Sequence, residues 1–162
     1  MDRQLPKKPG TDFKFLCDEM LQRLGRWLRI AGYDTLIAQA GEADTPLYQQ
    51  AIKEKRWLIT CDHDFMQRRH ATNFVVLLDH QGTHACCHQL STQLPIDWHY
   101  KPFSRCSVCN HLLDQSPHAA PNDQNEAWYC PECRKVYWEG SHVANMRKTL
   151  EGFANASTTV AS

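Results

Sequence analysis

The chain has 162 residues, 42% of them hydrophobic and 22% charged, with 18 Lys plus Arg against 18 Asp plus Glu. That length allows one ordinary domain, or a small domain with a stapled appendage, and the composition excludes wholesale disorder and fibrous repeats. Balanced charge leaves no overall positive field to draw the protein onto nucleic acid, and the longest apolar run, 74–78, falls far short of the ~20 residues of a membrane-spanning helix.

The opening MDRQLPKKPG has neither an apolar stretch nor a small-residue cleavage site, so a cytoplasmic location is expected. Residues 1–12 and 154–162 read as loose ends. A first strand is expected at 13–17, followed by a helix at 20–31 whose apolar residues Met20, Leu21, Leu24, Trp27, Leu28 and Ala31 recur at helical spacing. Gly32 ends that helix, and 33–37 reads as a second strand. Asp44 can cap a second helix, with Pro46 in its first turn and Leu47, Tyr48, Ala51 and Ile52 facing the core. A third strand is expected at 57–60, then a turn into a short helix ending near Arg69, a continuous apolar strand at 74–78, and a helix at 83–94. Alternating strands and helices with short links define an α/β class with a largely parallel sheet over 13–101.

Beyond Lys101 the texture changes to turn residues and paired cysteines over 102–142, before a short helix at 143–153. Without a secretion signal, eight cysteines read as metal ligands plus buried thiols. Cys106 and Cys109 form one Cys-x-x-Cys pair, Cys130 and Cys133 another, and twenty residues separate the pairs. Two tight turns can thus offer four thiolates to one tetrahedral zinc. Four protein ligands leave no open position, so such a zinc is structural, and it staples a module too small to bury much core. Asn110 follows the first pair, where a left-handed backbone is useful.

A second constellation is acidic. Asp18 follows the first strand and Asp62 the third, and carboxyl ends of neighbouring parallel strands share one crevice. Asp44 and Asp64 can join the same edge. Packed carboxylates repel unless a divalent cation neutralises them, and carboxylate ligation suits Mg²⁺ or Mn²⁺, which can activate water and clamp a phosphodiester. Asp44 reads equally as a helix cap or a ligand, and Asp64 slightly better as a cap. Glu19 reads as a first-turn acid complementing the helix dipole.

Arg23, Arg26 and Arg29 recur every three residues opposite the first helix's apolar stripe, and Arg68, Arg69 and His70 follow the Asp62 turn. Both groups read either as solvated faces or as contacts to a phosphate backbone. His84, Cys86, Cys87 and His88 read as buried thiols with surface histidines.

The motifs FLCDEML at 15–21, LGRWLR at 24–29, GYD at 32–34, LITCD at 58–62, RCSVCN at 105–110 and YWEGSH at 137–142 stand in an order that resembles the Mut-seven C-terminal RNase domain family. The resemblance runs from about residue 13 to residue 150. It implies a PIN-like nuclease fold fused to a zinc ribbon, and metal-dependent RNA cleavage at an acidic cluster matched by Asp18, Asp44 and Asp62, with Asp64 beside it. Arg134 stands where the family's ribbon usually has Gly, and Cys61 where a basic residue is common.

The combined expectation is a Mg²⁺- or Mn²⁺-dependent ribonuclease. Asp18 and Asp62 would hold the metal and Asp44 would complete the site or orient the water. Arg23 and Arg26, with Arg68 and Arg69, would contact phosphate. The ribbon would present RNA, a ribosome or a protein partner through Lys101, Arg105, Arg134, Lys135 and His142. The alternative is a non-catalytic RNA- or ribosome-binding adaptor that keeps the fold without the reaction.

Overall fold

The computed structural model describes residues 12–79, 81–115, 127–138 and 141–159. The loose start expected over 1–12 lies outside the described residues except for Asp12, as do the last residues of the expected tail and the middle of the expected ribbon.

Strands β1 (Lys14–Cys17), β2 (Asp34–Ile37), β3 (Trp57–Thr60) and β4 (Val75–Leu77) form a parallel sheet in the order β2-β1-β3-β4. Helices α1 (Gln22–Ala31), α2 (Asp44–Glu54), α3 (Ala71–Phe74) and α4 (Thr83–Gln93) connect and flank them, with 3-10 turns at Glu19–Leu21 and His63–Gln67. The expected α/β architecture and parallel sheet are therefore present. The helix expected at 20–31 is divided, its first turn being 3-10, and the strand expected at 74–78 gives up Phe74 to α3.

Why the strands are apolar throughout is visible in the two cores. Phe15, Cys17, Trp57, Ile59 and Val76 face one cluster with Leu24 and Leu28 of α1 and Cys86, Cys87 and Leu90 of α4. Leu16, Leu58 and Val75 face the other, with Leu47, Tyr48 and Ala51 of α2 and with Phe65. Side chains alternate across a strand, so a sheet covered on both faces needs an apolar residue at nearly every position.

Gly32 closes α1 at φ 108°, donating its N–H to the Arg29 and Leu28 carbonyls. A Cβ there would lie 2.4 Å from the Lys101 carbonyl oxygen, so only glycine lets residues 101–103 pass this close. Lys101 and Phe103 N–H groups donate to the Ala31 and Ile30 carbonyls at 2.9 Å.

The C-terminal part carries β5 (Asp114–Gln115), β6 (Ala127–Tyr129) and β7 (Val136–Trp138) in an antiparallel sheet, then α5 (Ser141–Thr159). The last helix is longer than the expected 143–153 and enters the stretch read as a tail. Its Val143, Met146, Leu150 and Phe153 join the first core cluster, and Phe153 meets Trp27 edge-on at 5.5 Å and Trp98 at 5.0 Å. No helix among the described residues is long and apolar enough to cross a membrane.

Candidate active site and metal centre

The order β2-β1-β3-β4 means that the chain leaves β1 toward one side and β3 toward the other, which opens a crevice between their carboxyl ends. Asp18 and Asp62 sit there. Asp18 extends the ladder by donating its N–H to the Ile59 carbonyl at 2.9 Å. Its Oδ2 accepts from the Thr60 hydroxyl at 2.9 Å and its Oδ1 from the Glu19 N–H at 2.7 Å. Thr60 Oγ1 accepts in turn from the Asp62 N–H at 3.0 Å, so one buried hydroxyl ties the two acidic corners together. Asp62 also caps the following 3-10 turn, its Oδ1 accepting from the Asp64 N–H at 2.9 Å.

Asp18, Asp44 and Asp62 line one open cavity of about 480 Å³ together with Glu19, Glu42, His63 and Asp79. Partial burial and the negative charges of Asp62 and Asp18 raise the Asp44 carboxyl above its ordinary value, with Asp64 adding to the effect and Arg68 opposing it. The expected capping role of Asp44 is corrected: the cap position is Ala43, Asp44 is the first helical residue, and no side chain caps the turn. Its carboxylate at a helix start still faces the positive end of the dipole. Asp64 is likewise not the cap of its turn, because the sharp bend after Thr60 gives that place to Asp62; Asp64 lies outside the cavity.

Glu19, Glu42 and Asp79 were not foreseen as cavity residues. Glu19 reaches across to accept from the Gly41 N–H at 3.1 Å, and Glu42 accepts from the Gln39 N–H at 2.8 Å, so both fasten the loop before α2. Asp79 follows β4 at the same sheet edge, and the rule that pointed to Asp18 and Asp62 applies to it equally.

The arginines separate. Arg23 and Arg26 are exposed on α1. Arg29 is not part of an outer stripe: it is 7% exposed, and its Nε donates to the Thr35 carbonyl at 2.8 Å and its Nη1 to the Ser107 and Val108 carbonyls at 3.1 and 3.0 Å. Arg68 stacks over the Tyr48 and Phe65 rings, and Arg69 is exposed. Cys86 and Cys87 are buried, as expected, with His84 exposed.

In the C-terminal part, the Cys106, Cys109, Cys130 and Cys133 sulfurs all lie within 4.8 Å of one another, the single group of three or more metal-ligating side chains gathered so closely among the described residues. The 3.9 Å between Cys106 and Cys133 and the 3.5 Å between Cys109 and Cys130 bracket the ~3.8 Å edge of a tetrahedron with ~2.3 Å metal–sulfur bonds. The two turns match. Asn110 N–H donates to the Cys106 carbonyl at 2.9 Å with φ 73°, and Arg134 N–H to the Cys130 carbonyl at 2.7 Å with φ 59°. Arg134 therefore adopts the left-handed backbone that glycine would take without strain. Burial alone would push the Cys106 thiol up, but the Cys109 and Val108 N–H groups and the Tyr137 hydroxyl hold it down at about 7. Hydrogen bonding to the Cys109 sulfur, with Cys106 and Cys130 close by, pushes Cys133 up to about 12. A dication relieves this crowding of four sulfurs, so the donor set, spacing and electrostatics all fit a zinc site.

The chain is thus an α/β protein with an open parallel sheet, acids at its switch point and a four-cysteine module beside it. The model of the Mut7-C RNAse domain matches residues 13–150, and the chain belongs to that family. No curated protein matches the chain.

Proposed function

We propose that this protein is a Mg²⁺- or Mn²⁺-dependent ribonuclease that hydrolyses RNA phosphodiester bonds in the acidic cavity. The observation that carries the reading is the meeting of Asp18, Asp62 and Asp44 around one open cavity at the switch point of a parallel sheet. The carboxylate oxygens there are not drawn together as the four sulfurs are. An ion held there would therefore need water for most of its shell. Asp18 and Asp62 would hold the ion. When bound, it would supply Lewis-acid polarisation of the phosphate and a more acidic water.

The chain's own groups do the rest. Thr60 fixes the Asp18 carboxylate by donating to Oδ2, which leaves Asp18 oriented before any ion arrives. Asp44, with its raised affinity for a proton, is suited to orient the attacking water and accept its proton. Arg23 and Arg26 contact phosphates of the strand, with Arg68 and Arg69 nearer the Asp62 turn, while Asp64 reinforces the local negative field. A zinc on the four cysteines holds the C-terminal module, which offers RNA or a partner the surface around Lys101, Arg105, Arg134, Lys135 and His142.

The test is cleavage of a labelled single-stranded oligoribonucleotide by wild type, Asp18→Asn and Asp62→Asn, each with Mg²⁺, Mn²⁺ or EDTA. Cleavage by wild type with either ion, and by neither variant, is expected. Normal cleavage by both variants would overturn the site, and wild-type protein that binds the RNA without cutting it would establish the adaptor function instead.

A further inference from the structure

Met20 is the most exposed large hydrophobic side chain among the described residues, at 59%, although it lies next to two core elements. It stands between two cavities. One is the acidic cavity; the other, of about 440 Å³, is bounded by Glu19, Met20, Arg23, Gly82, Thr83 and Cys86, so the two share Glu19 and Met20 as a common wall. Gly82 adds no bulk there, since nothing lies within 4 Å of where its Cβ would be.

We propose that this second cavity is the subsite for the nucleotide next to the scissile phosphate, with Met20 as an apolar shelf for its base and Arg23 as the partner of its following phosphate. The inference rests on the nuclease reading of the acidic cavity. A strand whose one phosphate sits among carboxylates needs positive charge for the next, because the acidic wall repels it. Arg23 supplies that charge three residues after Met20, and both residues line this cavity. No described carboxylate lies within ion-pair distance of its guanidinium, whereas Arg56 is engaged by Asp34 and Glu54. Methionine is flexible and polarizable, so it accommodates any base by contact without reading its edge. A base can lie on it only after leaving its own stack, which makes the subsite selective for unpaired strands and tolerant of sequence.

The test is equilibrium binding of a fluorescent single-stranded oligoribonucleotide in EDTA, so that no cleavage is needed, followed by KM with Mn²⁺. Met20→Ala should weaken binding about fivefold, as expected for loss of one base contact, and raise KM in parallel. Met20→Leu should restore both. Arg23→Gln should reduce the slope of log affinity against log salt by roughly 0.7, one phosphate's share on a single strand. Lys148→Gln, which removes an exposed charge on α5, should leave that slope unchanged. Unaltered affinity in Met20→Ala and an unaltered slope in Arg23→Gln would overturn the subsite. If Asp18→Asn nevertheless abolished cleavage, the acidic site would stand without the subsite; a wild type that cut no RNA would remove the nuclease reading and the subsite with it.

Discussion

Arg29 on helix α1 donates its Nη1 hydrogen to the Val108 carbonyl at 3.0 Å, inside the turn that carries Cys106 and Cys109. One buried guanidinium thus serves the Thr35, Ser107 and Val108 carbonyls, two of them more than seventy residues away in sequence. Asn110 adds a second tie, donating Nδ2 to Asp34 Oδ1 at 2.8 Å and accepting the Thr35 N–H at 3.0 Å. The cysteine module is fastened onto α1 and β2 by these bonds.

Replacing Arg29 with Met keeps much of the apolar stem but leaves those carbonyls without their donor. Loss of about 3 kcal/mol is expected, since hydrogen bonds to charged groups each contribute about 1.5–3 kcal/mol and buried acceptors are costly to leave unpaired. Urea unfolding checks it, and a loss under about 0.5 kcal/mol would mean that water takes over the acceptors.

One zinc per chain is expected by elemental analysis, with ~2.3 Å zinc–sulfur distances by X-ray absorption. Cys130→Ser should lose the metal. Because Tyr137 and α5 share the first core cluster with Phe15 and Trp57, the variant should unfold at a lower temperature as a whole. A full zinc complement in Cys130→Ser would rule out the four-sulfur site.

Asp44 gives a pH test whose sign follows from its raised carboxyl. The folded state binds this proton more tightly than the unfolded chain, so the group costs stability once pH rises above both values. Asp44→Asn should therefore melt slightly higher than wild type at pH 7, and the difference should fade as pH falls through the raised folded value, vanishing only well below the unfolded value near ~4. Added Mn²⁺ should stabilise wild type more than the variant. An Asp44→Asn protein that melts lower than wild type at pH 7 would count against mutual repulsion in the cavity.

Asp34 behaves oppositely. Burial would raise its carboxyl, but hydrogen bonds from Arg56 and Asn110, with the Arg56 and Arg105 charges, hold it below its ordinary value. Its stabilisation is complete above the unfolded value near ~4 and is lost as pH falls through the folded value. Wild type should lose its advantage over Asp34→Asn as pH falls from about 4 through the lowered folded value. A gap that stays constant across that range would show that the carboxylate's charge is not what these partners hold.

Much of this was legible in the chain. The strand at 57–60 shows itself because both its faces are covered, and the cysteine pairs show themselves because a tetrahedral ion dictates their spacing. Arg29 was misread for a geometric reason. Residues three apart fall ~60° short of a full helical turn, so Arg29 is ~120° round α1 from Arg23, on a side covered by a distant segment. Asp44 was misread by one position, because the preference for Asp at a helix start does not say where the first helical dihedral falls. The substitutions at Asp18 and Asp62 also carry a consequence hidden from sequence: both carboxylates accept backbone N–H groups, so neither acid is purely a source of repulsion.

Phe153 against Trp27 and Trp98 has a consequence for the order in which the molecule is made. Strands β1 and β3, which carry the acidic corners, leave the ribosome early, while the helix that seals their supporting core leaves after all four cysteines have emerged. A nascent chain therefore lacks the Phe153 cover of these tryptophans until α5 has emerged. Completion of the scaffold that carries the acidic corners is timed by the late part of translation.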